Sequence, residues 1–168
     1  MRLDEAILTA IEYETRIRDH YLSSVDRIRN PAGRRIFEVL AGEEQGHIDY
    51  LLACLGRWRR DGVIGTIALS SALPPASDLA KALAPVEGRV PDPVLDDDRQ
   101  ILSVALNMER ETSDYYRRLV AQLDGAYREL FTRFLEIEDG HVAIVQAEID
   151  YLSRNGCWFE FSEFNQEY

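Results

Sequence analysis

Glu44 and His47 stand three residues apart in EQGH, and Glu138 and His141 repeat the pattern in EDGH, 94 residues further on. On a helix, residues three apart share a face, so each pair would aim one carboxylate and one imidazole at the same point. Carboxylate and imidazole without thiolate suit iron or manganese, with zinc a further occupant. A lone Glu-x-x-His is common on solvated helices, so the elements that carry the two pairs decide what they are for.

Those elements are marked out by proline. Pro74, Pro75, Pro85, Pro91 and Pro93 crowd into one stretch, and Pro31 falls in the turn-like NPAG at 30–33. Proline-free blocks remain at about 3–29, 33–58, 96–124 and 126–154. In each, apolar residues recur at the three-then-four spacing of one helix face. The first block has Leu3, Ile7, Ala10, Ile17, Tyr21 and Ile28; the second Phe37, Leu40, Leu51 and Cys54. The third has Leu102, Ala105, Tyr116, Leu119 and Leu123; the fourth Phe131, Phe134, Val145 and Leu152. The spacing predicts four amphipathic helices, paired into antiparallel hairpins by short breaks at 30–33 and near Gly125. The Pro-rich stretch at about 59–95 is too long for a turn and suits a crossover along a bundle. Within it, SDLAKALA at 77–84, with Ser77 as N-cap, suggests a short added helix. The expected fold is an all-α antiparallel four-helix bundle over 1–154, with an aromatic tail at 155–168.

Six polar residues interrupt the apolar seams. Glu14 lies between Ala10 and Ile17, and Glu109 between Ala105 and Thr112. The second seam runs Leu40, Glu44, His47, Leu51; the fourth runs Phe134, Glu138, His141, Val145. Counted back from the turns, all six fall at similar heights along the bundle, so the pattern predicts one layer.

The chain also repeats itself around them. AIEYETRIRDHY at 10–21 aligns with ALNMERETSDYY at 105–116, and RRIFEVLAGEEQGH aligns with RELFTRFLEIEDGH. The matches include Glu14 with Glu109, Tyr21 with Tyr116, Phe37 with Phe131 and Gly46 with Gly140. The chain reads as a duplicated hairpin.

Charge explains the layer. Unpaired carboxylates in a dry core would rather protonate, and four together repel one another. Two divalent cations supply the four positive charges they need, with neutral imidazoles completing each coordination sphere. Gly46 and Gly140 sit mid-helix beside the histidines, where Gly costs about 1 kcal/mol relative to Ala. Their presence predicts the close approach of a neighbouring helix or a ligand. Glu12, Glu43, Glu111 and Asp139 lie off the seams and are expected on solvated faces, as is His20. For Tyr21 and Tyr116, core packing and a hydrogen bond to a ligand carboxylate are both open. Cys54 reads as a small core residue; Cys157 has no partner in the pattern.

Composition narrows the class. The 168 residues suffice for one core. Two cysteines rule out a disulfide framework and paired Cys-x-x-Cys knuckles, and the default compartment is a reducing cytoplasm. No stretch reaches a membrane span, and the net charge of −11 argues against nucleic acid and anionic membrane as partners.

One Glu, one Glu-x-x-His, a long crossover, then the same again resembles the ferritin-like di-iron carboxylate proteins. The seven-residue gap from Glu to Tyr in both hairpins is most similar to the rubrerythrin branch, over residues 1 to about 154. The resemblance implies two iron ions per chain, held by Glu14, Glu44, His47, Glu109, Glu138 and His141, with Glu44 and Glu138 as bridging and catalytic carboxylates. It also implies a homodimer or larger homo-oligomer. Where rubrerythrins carry a further carboxylate, one turn after the third-helix Glu, this chain has Thr112, which weakens the bias toward peroxide. A rubredoxin iron site like that of full-length rubrerythrins is not expected, since 155–168 holds one cysteine, so electrons would come from a separate donor protein or from iron itself. Gln45 stands where bacterioferritins place a haem-ligating Met, so haem is not expected.

Three functions fit these residues. The favoured one is a di-iron oxidoreductase, of peroxidase or ferroxidase type, reducing peroxide or dioxygen in oxidative-stress chemistry. The second is a non-catalytic iron-binding or iron-delivery protein. The third is a helical module stapled by metal.

Overall fold

A computed structural model of the chain describes residues 2–64, 69–71, 73 and 96–159. The described residues form four helices: α1 (Leu3–Val25), α2 (Pro31–Asp61), α3 (Asp96–Gln122) and α4 (Gly125–Asn155). Helix α1 packs along α2, α3 along α4, and α1 against α3. Most of the crossover expected at about 59–95, and the short helix expected at 77–84, lie outside the described residues. None of the described helices is long and apolar enough to cross a membrane.

The first turn is displaced from its expected place. Helix α1 stops at Val25, short of residue 29, and the break falls at 26–30, so NPAG opens α2. Asn30 is extended, and its side-chain oxygen accepts from Ala32 N at 2.8 Å and Gly33 N at 3.3 Å. Pro31 follows at the first helical position, where its missing N–H costs nothing and its fixed φ suits the helix. The second turn is residues 123–124, with Gly125 at φ +56 as the first residue of α4. Helices α2 and α4 both end on a left-handed Gly, Gly62 at φ 71 and Gly156 at φ 67. Each donates its N–H to a carbonyl of the last turn, Trp58 or Leu152. These caps are also 94 residues apart, 156 less 62, so the duplication extends to the helix ends.

Two apolar clusters fill the interior. One joins Ile7, Ala10, Leu51, Cys54, Tyr116, Phe131 and Phe134; the other joins Ile17, Tyr21, Phe37, Leu40, Ala105, Val145 and Leu152. On every helix the seam passes from one cluster to the other across the predicted polar residues. The polar layer therefore divides the core in two.

The core extends past residue 154. Cys157, Trp158 and Phe159 are buried, and the Trp158 ring meets Phe37 edge-on at 6.2 Å while Nε1 donates to Asp98 at 3.1 Å. Gly33 makes room for it, since an added Cβ would come within 2.6 Å of the indole. Phe159 N donates to the buried Glu148 carboxylate at 3.1 Å. Burial pushes the Glu148 carboxyl up to about 8, against the pull of that hydrogen bond.

Candidate metal centre

All six seam residues meet in one buried cluster. Glu14, Glu44, Glu109 and Glu138 are fully buried, and His47 and His141 are 2% and 1% exposed. Their side-chain donors fall into two groups, Glu14, Glu44, His47 and Glu138, and Glu44, Glu109, Glu138 and His141. Within each group the donor atoms lie within 4.8 Å of one another, so each could hold a metal ion. Glu44 and Glu138 are common to both groups.

Both histidines present Nδ1 to the carboxylates. His47 Nδ1 lies 3.1 Å from Glu44, 3.2 Å from Glu14 and 3.2 Å from Glu138. His141 Nδ1 lies 2.9 Å from Glu44 and 3.8 Å from Glu109. The rings stack 5.5 Å apart at 12°.

Hydrogen bonding leaves the cluster short of partners. Among the described residues nine buried side-chain nitrogen or oxygen atoms lack one, and seven belong to these side chains. They include both oxygens of Glu138, one each of Glu44 and Glu109, and both nitrogens of His141. Orphaned atoms of that kind are costly, and metal coordination would satisfy the carboxylate oxygens and His141 Nδ1 together. Four carboxylates and two imidazoles are a donor set for iron, manganese or zinc, so the residues fit the implied group.

The tyrosines resolve the choice left by the sequence: they do both jobs. Tyr21 donates to Glu109 Oε1 and Tyr116 to Glu14 Oε1, each reaching across to the other hairpin. Their rings remain in the apolar clusters on either side of the layer. Burial, and then the Glu109 charge for Tyr21 and the Glu14 charge for Tyr116, raise both phenols well above their usual range. They stay protonated and act as donors.

The metal-free cluster holds protons unevenly. Burial works against every charge in it. At Glu14 the charge of His47 and hydrogen bonds outweigh burial and hold the carboxyl at about 2. At Glu44 burial is reinforced by the Glu138 charge, against His141, and the carboxyl rises to about 7. Glu109 and Glu138 are also raised, by burial and then by the neighbouring carboxylates. Burial disfavours protonated imidazole, yet Glu14 beside His47 and Glu44 beside His141 raise both histidines well above the usual range. Binding of divalent metal must displace these protons.

Several neighbours depart from expectation. His20 is half-buried rather than surface, because its Nε2 reaches Ile101 O at 3.1 Å across the α1–α3 contact. Glu43 is turned inward, 11% exposed, with one oxygen 3.9 Å from His141 Nε2. That oxygen accepts a 2.5 Å hydrogen bond from Ser71 of the crossover, a segment with no helical period to betray such a contact. Beyond their own helices, no described atom lies within 4 Å of where a Cβ would sit on Gly46 or Gly140, so no described helix approaches either glycine. Each instead edges a cavity. One of about 230 Å³ includes Glu43, Gly46 and His47, and one of about 430 Å³ includes Ser71, Gly140 and His141. Glu12, Glu111 and Asp139 are exposed, as expected. Comparison with known proteins finds no family model, curated protein or solved structure that matches the chain, so the reading of this centre rests on its own geometry.

Proposed function

We propose that the chain is a ferritin-like, rubrerythrin-type di-iron carboxylate oxidoreductase that reduces peroxide or dioxygen and oxidises ferrous iron. The observation that carries this reading is the pair of buried donor groups that share Glu44 and Glu138. Two groups with two carboxylates in common are the arrangement that two adjacent metals need, whereas a structural staple needs one closed group. When bound, two ferrous ions supply the two electrons that, with two protons, take hydrogen peroxide to two waters or dioxygen to peroxide.

The chain's own residues would do the rest. Glu14 with His47, and Glu109 with His141, would hold one metal each, with Glu44 and Glu138 available to both. Tyr116 and Tyr21 tie one oxygen of Glu14 and of Glu109, which orients the other toward the centre. Apolar clusters on both sides exclude water along the bundle axis. The cavities beside His47 and His141 leave the α2 and α4 side for small oxidants. Thr112 spends its hydroxyl on Met108 O at 3.0 Å and adds no ligand oxygen, which supports use of dioxygen as well as peroxide. Electrons would return through a separate donor protein or fresh ferrous iron.

Burial of all six side chains would also serve an iron-holding or iron-delivering protein. Anaerobic protein loaded with ferrous iron and mixed with peroxide or dioxygen in a stopped-flow spectrometer separates the readings. Oxidation faster than that of free ferrous iron is expected with both oxidants. Oxidation no faster with either, in protein shown to hold two irons, would leave the carrier.

A further inference from the structure

We propose that Glu43 is a positioning residue for His141, binding its outer nitrogen so that the inner one faces the metals. The proposal rests on the dinuclear reading above. With both Nδ1 atoms committed to metal, the two Nε2 atoms carry protons and must donate. His141 Nε2 is buried and has no hydrogen-bond partner among the described residues. Glu43 Oε2 stands 3.9 Å from it and is the carboxylate oxygen that faces it. Metal-bound histidines commonly donate their second N–H to a carboxylate, which fixes both tautomer and ring orientation.

Glu43 is itself held for this role. The oxygen that faces His141 also accepts from Ser71 Oγ, and Ser71 Oγ in turn accepts from Leu73 N at 3.1 Å. Ser71 thus anchors the carboxylate through the same oxygen that faces His141. Glu43, His47 and His141 form a third group whose donor atoms lie within 4.8 Å of one another, so a cation held there through the outer nitrogens is the competing use of this cluster. It would require both imidazoles to give up their outer protons while their inner nitrogens are already ligands.

The duplication breaks at this point. The residue 94 positions after Glu43 is Ile137, so no matching carboxylate comes from α4. The two hairpins bring equal ligands to the centre but a single outer acid.

The test is a double-mutant cycle read by cobalt(II) affinity, in competition with a chromophoric chelator and with the cobalt absorption bands recorded. Glu43→Ala is expected to weaken cobalt binding about 10–100-fold and to shift those bands. Glu43→Gln, which keeps an oxygen acceptor without the charge, should stay within about 3-fold of the unsubstituted protein, well short of that loss. In a His141→Ala background Glu43→Ala should have no further effect. The proposal is overturned if Glu43→Ala binds cobalt normally, if Glu43→Gln falls as far as Glu43→Ala, or if the loss persists without His141. Failure of the unsubstituted chain to bind cobalt would overturn the dinuclear reading and this one together; the other failures touch Glu43 alone.

Discussion

His47→Ala or His141→Ala is expected to slow the oxidation of bound ferrous iron at least about 100-fold, to the rate of the free ion. Two-electron chemistry needs both metals held side by side, and each histidine is the sole imidazole in its donor group. The near two-fold repeat makes neither half auxiliary. Removal of either imidazole should therefore abolish the fast phase even where one metal still binds. The measurement is the stopped-flow absorbance trace of each variant under the conditions of the unsubstituted protein. A variant that keeps the fast phase would show that one mononuclear group suffices.

The second large effect concerns stability. The metal-free centre keeps four carboxylates and two imidazoles in a dry layer between two apolar clusters, and burial opposes the charge of each. Replacing a buried ion pair by apolar groups of similar size is often neutral or stabilising by about 1–4 kcal/mol, and His47 keeps Glu44 at 3.1 Å and Glu138 at 3.2 Å as partners when Glu14 is removed. Glu14→Leu with Glu109→Leu would orphan the Tyr116 and Tyr21 hydroxyls, at about 1–3 kcal/mol each. The clean variant therefore adds Tyr21→Phe and Tyr116→Phe. This quadruple variant should bind no metal pair, yet melt in chelator at or above the temperature of the unsubstituted metal-free protein. The double variant with both tyrosines kept should melt lower than the quadruple one. A quadruple variant that melts below the unsubstituted protein would mean that these charges stabilise the metal-free fold.

The bundle was legible because its seams are long and regular. Four stretches of apolar spacing place four helices, and the interruptions at Glu14, Glu44, His47, Glu109, Glu138 and His141 mark the layer that the structure brings together. Ends were less legible. Pro31 reads as a turn residue until Asn30 is seen capping the helix it opens, and a helical period gives no warning of a cap. The cap glycines Gly62 and Gly156 could have been found by extending the 94-residue offset.

Contacts that cross between elements away from the seams were not legible. Glu43 lies one position off its seam, where a solvated face is the ordinary outcome, yet it turns inward toward His141 and Ser71. His20 is drawn in by a backbone carbonyl of α3, which leaves no mark in side-chain patterning. Gly46 and Gly140 predict the close approach of a helix or a ligand; no described helix approaches either, and each lines a cavity beside a histidine. A missing side chain looks the same in a sequence whether it admits a neighbour or a cavity.

The central claim, two metals in one chain, is tested most directly by elemental analysis after anaerobic loading with ferrous iron and removal of the excess. Two donor groups that share Glu44 and Glu138 predict saturation at two irons per chain. Saturation at one, or no retained iron, would contradict the dinuclear centre.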